Sequence, residues 1–198
     1  PFAGDNTIVY EIKTPIRQYW RVETKDFYTS KGWEQSDDES LQQTLQFADP
    51  LPLSIKPGSE EPQSVEVQAI NEEYLFLLQA YGITSYNLDG TQTGLRFNTG
   101  NEKILPLINS DVVAPASYEM TFQQPEYSYV ALKESLSSTE NDSRYLQLPG
   151  NLPQRVTDLA LEITDMYDSV YDKARAIEGY FARSGFQYET TNVQVPSA

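Results

Sequence analysis

Residues 148–189 read LPGNLPQRVTDLALEITDMYDSVYDKARAIEGYFARSGFQYE, and this stretch decides how the fold is interpreted. Apolar residues recur in it every three or four positions, the spacing that places side chains on one face of a helix. The first half carries Val156, Leu159, Ala160, Ile163 and Tyr167, and the second half carries Val170, Ala174, Ile177 and Phe181. The stretch therefore predicts two amphipathic helices in succession.

Residues at the ends of both predicted helices agree with this interpretation. Pro153 falls in the first turn of the first helix, where the N–H that proline lacks would be unpaired anyway. Ser169 and Asp172 form a capping-box pattern at the start of the second helix. Gly185 can adopt the left-handed conformation that ends it. Two amphipathic helices in a row need a shared surface that covers their apolar faces.

The part of the chain before the helices alternates apolar and polar residues, as half-buried β-strands do. The clearest alternating stretches are residues 7–13, 17–29, 63–70 and 117–123. The apolar run at 74–79 predicts a central strand, and Asp89-Gly90 predicts a hairpin turn between strands. The 14 tyrosines favour twisted antiparallel sheet. We therefore predict an α+β fold, with a mainly antiparallel, sandwich-like β unit followed by two amphipathic α-helices.

The amino-acid composition excludes several kinds of site. The chain of 198 residues has no cysteine and no histidine, which rules out disulfides, the usual zinc sites and Cys–His or Ser–His catalytic pairs. Its formal net charge of −15 repels phosphate backbones, so nucleic acid is not an expected partner. No apolar run approaches the ~20 residues that span a bilayer. Because the chain begins at Pro1 without a signal peptide, we expect it to be a piece of a longer protein.

Acidic residues offer candidate cation or catalytic sites, each with a plainer alternative. Glu34 and residues 37–39 could bind Ca²⁺ through oxygen ligands, or could form a solvated loop without the ligand spacing of an EF-hand. Residues 87–91 resemble a calcium loop superficially, but a hairpin turn explains them fully. Two carboxylates could make a glycosidase, but 29 acidic residues nominate no pair. We assign no catalytic, cofactor-binding or metal-binding residue and no cofactor.

Aromatic residues near the start of the chain offer a candidate binding platform. Its members are Tyr19, Trp20, Phe27, Tyr28 and Trp33. Such a platform could bind a sugar or a peptide, or the same side chains could belong to the core. Two further patterns are an N-glycosylation motif at 141–143 and an Asp172–Arg175 ion pair on the outer face of the second helix.

Two stretches together resemble a known family. Tyr19-Trp20-Arg21, Tyr28 and Gly32-Trp33 resemble a "YWR … Y … GW" segment. Residues 145–190 resemble a "YLxLP … LPxRV … LA … IT" approach followed by a "YDKAxAIExYL … FxY" signature, which is the more specific match. Both segments resemble those of bacterial membrane-anchored transglutaminase-like proteins, which are also described as cysteine proteases. The match covers roughly residues 16–36 and 145–190.

The resemblance implies a division of the chain and a location. Residues 1–140 would be a β-rich extracellular domain, 141–152 a linker, and 153–198 the helical start of a transglutaminase-like, papain-like domain. In this family the catalytic Cys, His and Asp follow the "FxY" strand, so no catalytic residue is carried over to this chain. The location implied is the extracellular face of a bacterial cell membrane.

Our leading hypothesis is a non-catalytic, extracytoplasmic portion of such a membrane-anchored protein. It would position the adjacent catalytic domain of the same parent chain, or engage a cell-surface protein or glycan. The alternative is an autonomous β-sandwich that binds glycan or peptide. If the helix faces belong to an absent catalytic core, some of five apolar residues should be less buried than their pattern suggests, or the helices should pack on each other, on the strands or on a neighbouring molecule. These are Val156, Ile163, Ala174, Ile177 and Phe181.

Overall fold

A computed structural model describes residues 6–35, 39–47, 49–88, 90–134 and 143–187. Within these ranges the chain forms ten β-strands and three α-helices. The strands are β1 (Tyr10–Lys13), β2 (Phe27–Tyr28), β3 (Trp33–Glu34), β4 (Gln42–Leu45), β5 (Gln63–Ala69), β6 (Ile83–Leu88), β7 (Gly94–Asn98), β8 (Ile104–Ile108), β9 (Asp111–Val112) and β10 (Ser117–Phe122). The helices are α1 (Tyr129–Glu134), α2 (Gln154–Thr164) and α3 (Val170–Arg183). All paired strands run antiparallel, which confirms the predicted α+β class.

The chain divides into two compact units. The β unit contains Asn6–Asp26 and Gln35–Glu126. The helical unit contains Phe27–Glu34 and the described chain from Tyr127 onward. The hairpin of β2 and β3 is therefore grouped with the helices, although the chain on both sides of it belongs to the β unit. The domain boundaries at 140 and 152 stay a prediction, because residues 135–142 lie outside the described ranges.

Two four-stranded sheets build the β unit around one core. Their strand orders are β1-β5-β10-β6 and β4-β7-β8-β9. Alternate residues point inward, so Val65 of β5 lies opposite Met120 of β10 and both are fully buried. Phe97 of β7 and Ile104 of β8 extend the same core from the second sheet. The sandwich-like arrangement follows from two sheets that bury their inner faces together.

Within the apolar run at 74–79, residues 77–79 are buried while Tyr74 and Leu75 are exposed, and the run forms no named strand of either sheet, contrary to the prediction. Tyrosine hydroxyls satisfy much of its backbone in place of a strand ladder. The Leu78 N–H donates to the Tyr118 hydroxyl at 2.9 Å, and the Tyr86 hydroxyl donates to the Leu78 carbonyl at 2.8 Å. An apolar run without regular alternation is compatible with a strand of a sheet or with a segment outside the sheets, so its residue spacing alone does not distinguish the two.

Two further predictions of β-structure need correction. Residues 17–29 do not form one continuous strand, because only an isolated bridge at Arg21 and the short strand β2 occur there. The turn at 87–91 does not close a hairpin, because β6 and β7 belong to different sheets. Asp89 itself lies outside the described residues. Alternation and turn residues are local signals, and neither identifies the strand that a segment pairs with.

Residues 17–26, here called the strap, are held to the rest of the β unit by polar contacts. Arg21 exchanges two backbone hydrogen bonds with Gln79 and forms an ion pair with Glu102 at 2.5 Å. The Glu102 carboxylate also accepts the Ser54 N–H at 2.8 Å. Further along the strap, Glu23 pairs with Lys103 at 3.1 Å. This network is buried at Glu102, so it fixes the strap against the core.

Glu23 of the strap has a pKa below its ordinary value. Partial burial by itself raises this pKa. Hydrogen bonds from Gln35 and Lys103, together with the charges of Lys103 and Lys25, outweigh that effect and lower it. The carboxylate is therefore stabilised in its charged form by its neighbours on the β unit.

The two predicted helices are present with the expected end signals. The Ser169 hydroxyl accepts the Asp172 N–H at 3.0 Å and donates to the Asp172 carboxylate at 3.0 Å. Gly185 follows α3 with a φ of 76° and ends it in the left-handed conformation. Pro153 occupies the N-cap position of α2, one residue before its first turn. Tyr167 lies beyond the end of α2, so its stripe is one turn shorter than predicted.

Candidate interaction surface

Helix α3 is the centre of the helical unit and contacts both α1 and α2. Tyr129 of α1 packs edge-to-face on Tyr171 of α3, with ring centroids 5.7 Å apart. Lys133 of α1 lies 3.7 Å from the Asp172 carboxylate and 5.7 Å from the Tyr129 ring centroid. The predicted Asp172–Arg175 pair is wrong, because Asp172 pairs with Lys133 while Arg175 pairs with Glu178.

The β2–β3 hairpin is also held within this unit. Its turn closes through the Thr29 N–H, which donates to the Gly32 carbonyl at 2.9 Å. Trp33 packs on Tyr28, with ring centroids 5.3 Å apart. The Gln147 side-chain amide donates to the Tyr28 carbonyl at 3.3 Å, across 119 positions of sequence. These contacts join an early segment of the chain to the region just before α2.

Burial differs sharply between the two units. Every buried hydrophobic side chain of the described residues belongs to the β unit. In the described part of the helical unit, only the polar residue Ser169 is buried. Most of the exposed large hydrophobic side chains, in contrast, belong to the helical unit. A concentration of exposed apolar side chains of this kind is typical of a protein surface that binds a partner.

The five apolar residues singled out in the sequence are poorly buried, as predicted. Ile163 is half-buried, and the other four are exposed. Together with two exposed neighbours they define what we call the apolar helix faces of α2 and α3. The exposed members of these faces are Val156, Leu159, Val170, Ala174, Ile177 and Phe181.

An aromatic cluster lies at the C-terminal end of α3. Phe181 and Phe186 are 5.0 Å apart between ring centroids, and Tyr180 lies within 5.9 Å of both. Phe181 is 52% exposed and Phe186 is 59% exposed, so much of this cluster faces water. Clustered aromatic side chains are the most frequent anchors of protein interfaces. Phe181 of this cluster is also a member of the apolar helix faces.

The aromatic platform predicted near the start of the chain is divided between the two units. Trp20 is half-buried against the β-unit core, which agrees with the core interpretation. Trp33 belongs to the helical unit and is 44% exposed, which does not. Tyr19 of the β unit is 85% exposed. The aromatic residues of this stretch therefore lie in two different environments, and their spacing in the sequence does not show which residue lies in which.

The acidic candidates receive no support as sites. Residues 37 and 38, and the side chain of Glu39, lie outside what the structure describes. Among the described residues, no group of three or more acidic side chains could hold a metal ion. An open depression of about 600 Å³ on the outer face of the β1-β5-β10-β6 sheet is lined by Glu66 and Glu119. Glu66 in this depression pairs with Lys13 at 3.0 Å, and both side chains are largely exposed, as expected of a solvated sheet face.

Comparison with known proteins finds a relative that aligns with nearly the whole chain. The chain is similar to the uncharacterized protein YebA of Bacillus subtilis (strain 168), with 34% identity over 206 residues. The alignment covers 99% of this chain and 28% of the relative, so the chain spans little more than a quarter of the relative's length. No family model matches the chain, and no solved structure matches it. The helices described here are all too short or too polar to span a membrane.

Proposed function

We propose that this chain is the non-catalytic, extracytoplasmic portion of a membrane-anchored transglutaminase-like protein. In this proposal it positions the catalytic domain of the same parent polypeptide, and the apolar helix faces are the surface on which that domain rests. The observation that carries the proposal is the uncovered state of these faces.

The energetics of the helices support a covering partner. Helices of 11 and 14 residues are marginal in water unless an apolar face packs against something. Burying a Val, Leu, Ile or Phe side chain contributes about 1.5–3 kcal/mol each. The large side chains of these faces are 37–52% exposed, so they forgo up to about half of that stabilisation. A partner that covers them would stabilise α2 and α3 and would be oriented by them at the same time.

The same polypeptide is the best candidate for this partner. The aligned relative is more than three times as long as the part that matches this chain. The resemblance at residues 145–190 to transglutaminase-like proteins implies that catalytic residues would be supplied elsewhere in the parent. This chain has no cysteine and no histidine to supply them. A covalently attached partner also has a high effective concentration, which favours docking on a modest surface.

Ile177→Glu and Phe181→Glu each place a negative charge on the apolar face of α3. In the 198-residue chain each should lower the free energy of unfolding by no more than about 1 kcal/mol, because Ile177 is 37% exposed and Phe181 is 52% exposed, so only part of their apolar area is buried there. In the full-length parent polypeptide each should cost about 3 kcal/mol, because it removes apolar burial and buries a charge. Urea denaturation, followed by circular dichroism, measures both.

Lys173→Glu is the matched control for these substitutions, because Lys173 is exposed on the same helix. It should have a small effect in both polypeptides. Equal, small effects of Ile177→Glu in the chain and in the parent would contradict the proposal. A large effect in the chain alone would show that the faces are already covered there.

A glycan- or peptide-binding module is the second candidate function, favoured by the exposed ring of Trp33. A glycan array distinguishes it from the leading proposal. Binding that is lost in Trp33→Ala and kept in Tyr19→Ala, without loss of stability, would favour the binding module. Tyr19 is the suitable comparison, because it is an exposed aromatic residue of the β unit.

A further inference from the structure

We propose that the outer face of the β4-β7-β8-β9 sheet carries a binding groove for a neutral oligosaccharide. The groove, here called the sheet groove, has a polar end and an aromatic end that share Lys103 and Leu105. It lies wholly within the β unit. The inference is therefore independent of the docking role proposed for the apolar helix faces. It also differs from a site at Trp33, which belongs to the helical unit.

The strand register places the side chains of the polar end on one face of the sheet. Alternate residues of β7 and β8 point into the core, so Arg96 and Leu105, which lie opposite each other, point outward. Gln42 and Asn98 form a second opposed pair on the same face, two residues further along β7. The full lining of this end, a depression of about 160 Å³, is Gln42, Arg96, Asn98, Asn101, Lys103 and Leu105.

The aromatic end continues from Lys103 and Leu105 to residues 73–76. It is a depression of about 370 Å³, within the range of ~300–1,000 Å³ that is usual for sites that bind small molecules. Tyr74 packs edge-to-face on Phe76 with ring centroids 5.8 Å apart, and the Lys103 ammonium lies 5.7 Å from the Phe76 centroid. Tyr74 is still 39% exposed, so its ring is accessible to a ligand.

The amide side chains of the polar end are oriented as hydrogen-bond donors. The Asn98 Oδ1 accepts two backbone N–H groups of the following turn, at 2.7 and 3.1 Å, and the Asn101 Oδ1 accepts the Lys103 N–H at 3.0 Å. These bonds fix both side chains but use only their oxygens. Among the described residues, neither –NH2 group has a protein partner. The Arg96 guanidinium donates to the Ser110 carbonyl at 2.9 Å and keeps further donors.

The charges along the sheet groove balance, which favours a neutral ligand. Lys103 pairs with Glu23 at 3.1 Å, while Arg96 at the polar end is matched by Glu73 at the aromatic end. In a chain with a net charge of −15, a groove without net positive charge does not attract a polyanion. An apolar protein surface fits no better, because it would cover the amide and guanidinium groups without bonding them.

The backbone around the sheet groove favours a sugar over an extended peptide. Both edges of β8 are occupied, by β7 on one side and by β9 and Leu77 on the other. The Leu77 N–H donates to the Ile104 carbonyl at 2.9 Å. A peptide therefore cannot be added to β8 as a further strand, and side chains must bind the ligand. Sugar hydroxyls both donate and accept, and the C–H face of a sugar ring packs on an aromatic ring.

An array of immobilised oligosaccharides tests this inference, with neutral oligomers of hexose and N-acetylhexosamine beside acidic ones. The 198-residue chain should bind at least one neutral oligomer. Tyr74→Ala and Arg96→Met should each weaken this binding about ten-fold or more, because each removes a contact from one end of the groove. Tyr81→Ala and Lys13→Met are the matched controls and should leave it unchanged. Tyr81 is an aromatic residue of similar exposure outside the groove, and Lys13 lies on the other sheet.

A second measurement uses the unaltered chain, so it does not depend on the folding of a variant. The side-chain –NH2 signals of Asn98 and Asn101 in ¹⁵N–¹H NMR spectra should shift when the bound oligosaccharide is added. Signals that stay in place would overturn the assignment to the sheet groove. Binding that is equal in both groove variants and the unaltered chain, or weakened equally in the controls, would also overturn it.

The remaining outcomes test the class of ligand. Binding to no neutral oligomer, or to acidic oligomers alone, would overturn the inference. Binding lost in Trp33→Ala alone would assign the site to the helical unit and would likewise overturn it. None of these outcomes changes the proposed function, because the apolar helix faces are tested separately by Ile177→Glu.

Discussion

Arg21→Met should lower the free energy of unfolding of the β unit by about 3–5 kcal/mol, as expected when one partner of a buried ion pair is removed. Arg21 pairs with Glu102, and their side chains are 13% and 6% exposed. The substitution leaves the Glu102 carboxylate buried without its counter-charge, although Ser54 still donates to it. Urea denaturation at neutral pH measures the loss.

Two comparisons isolate the cause of this loss. Lys13→Met breaks the Lys13–Glu66 pair, which has a similar distance of 3.0 Å but exposed side chains, so it should cost less than about 1 kcal/mol. The double variant Arg21→Met, Glu102→Gln should recover part of the stability, because no buried charge remains. An Arg21→Met loss no larger than that of Lys13→Met would contradict the role assigned to the buried pair.

High pH should destabilise the β unit steeply, because three of its tyrosines have raised pKa values. Burial, with a smaller effect of Tyr74, raises the pKa of Tyr10 to about 12. Burial also raises the pKa of Tyr86 and of Tyr118 well above the ordinary value. The Tyr10 and Tyr86 hydroxyls donate to the Phe76 and Leu78 carbonyls, so these two bonds need the protonated form. The Tyr118 hydroxyl accepts the Leu78 N–H, which by itself lowers its pKa, and burial outweighs this effect.

The direction of the pH effect follows from these pKa values. An unfolded tyrosine releases its proton near pH ~10, whereas the folded chain retains it to higher pH. Stability from these groups is therefore complete below pH ~10 and is lost as the pH rises toward the folded-state values. Three such groups should lower the free energy of unfolding by about 4 kcal/mol per pH unit in this window.

Urea denaturation between pH 8 and about pH 11.5 checks this slope against the ordinary tyrosine pKa. Tyr86→Phe should reduce the slope by about 1.4 kcal/mol per pH unit, with its own cost of about 1–3 kcal/mol at neutral pH from the unpaired Leu78 carbonyl. Tyr19→Phe, at an exposed position, should leave the slope unchanged. A free energy of unfolding that stays constant above pH ~10 would contradict the burial of these hydroxyls.

Local sequence signals correctly predicted the features that depend on neighbouring residues or on the alternation of apolar and polar side chains. Ser169 and Gly185 mark the ends of α3 correctly, because caps depend on a few neighbouring residues. Val65, Val67 and Met120 are buried on alternate positions of their strands, as the pattern indicated. These signals sufficed for the fold class.

Pairing across long sequence distances was not predictable in the same way. The apolar run at 74–79 has the composition of a central strand, yet tyrosine hydroxyls and the bridge from Gln79 to Arg21 satisfy much of its backbone. Nothing local in the sequence indicates that Gln147 bonds Tyr28. The hairpin was therefore assigned to the β-rich part of the chain. The exposure of the helix faces, in contrast, was predicted from their apolar stripes together with a resemblance that placed their partner elsewhere.

Amide hydrogen exchange of α2 and α3 tests the central claim most directly, namely that their apolar faces are covered in the parent and not in this chain. In the monomeric 198-residue chain these amides should exchange within about ten-fold of unprotected rates, because little burial stabilises the helices. In the full-length parent they should exchange about 100-fold more slowly or slower still. Strong protection of both helices in the monomeric chain alone would contradict the claim.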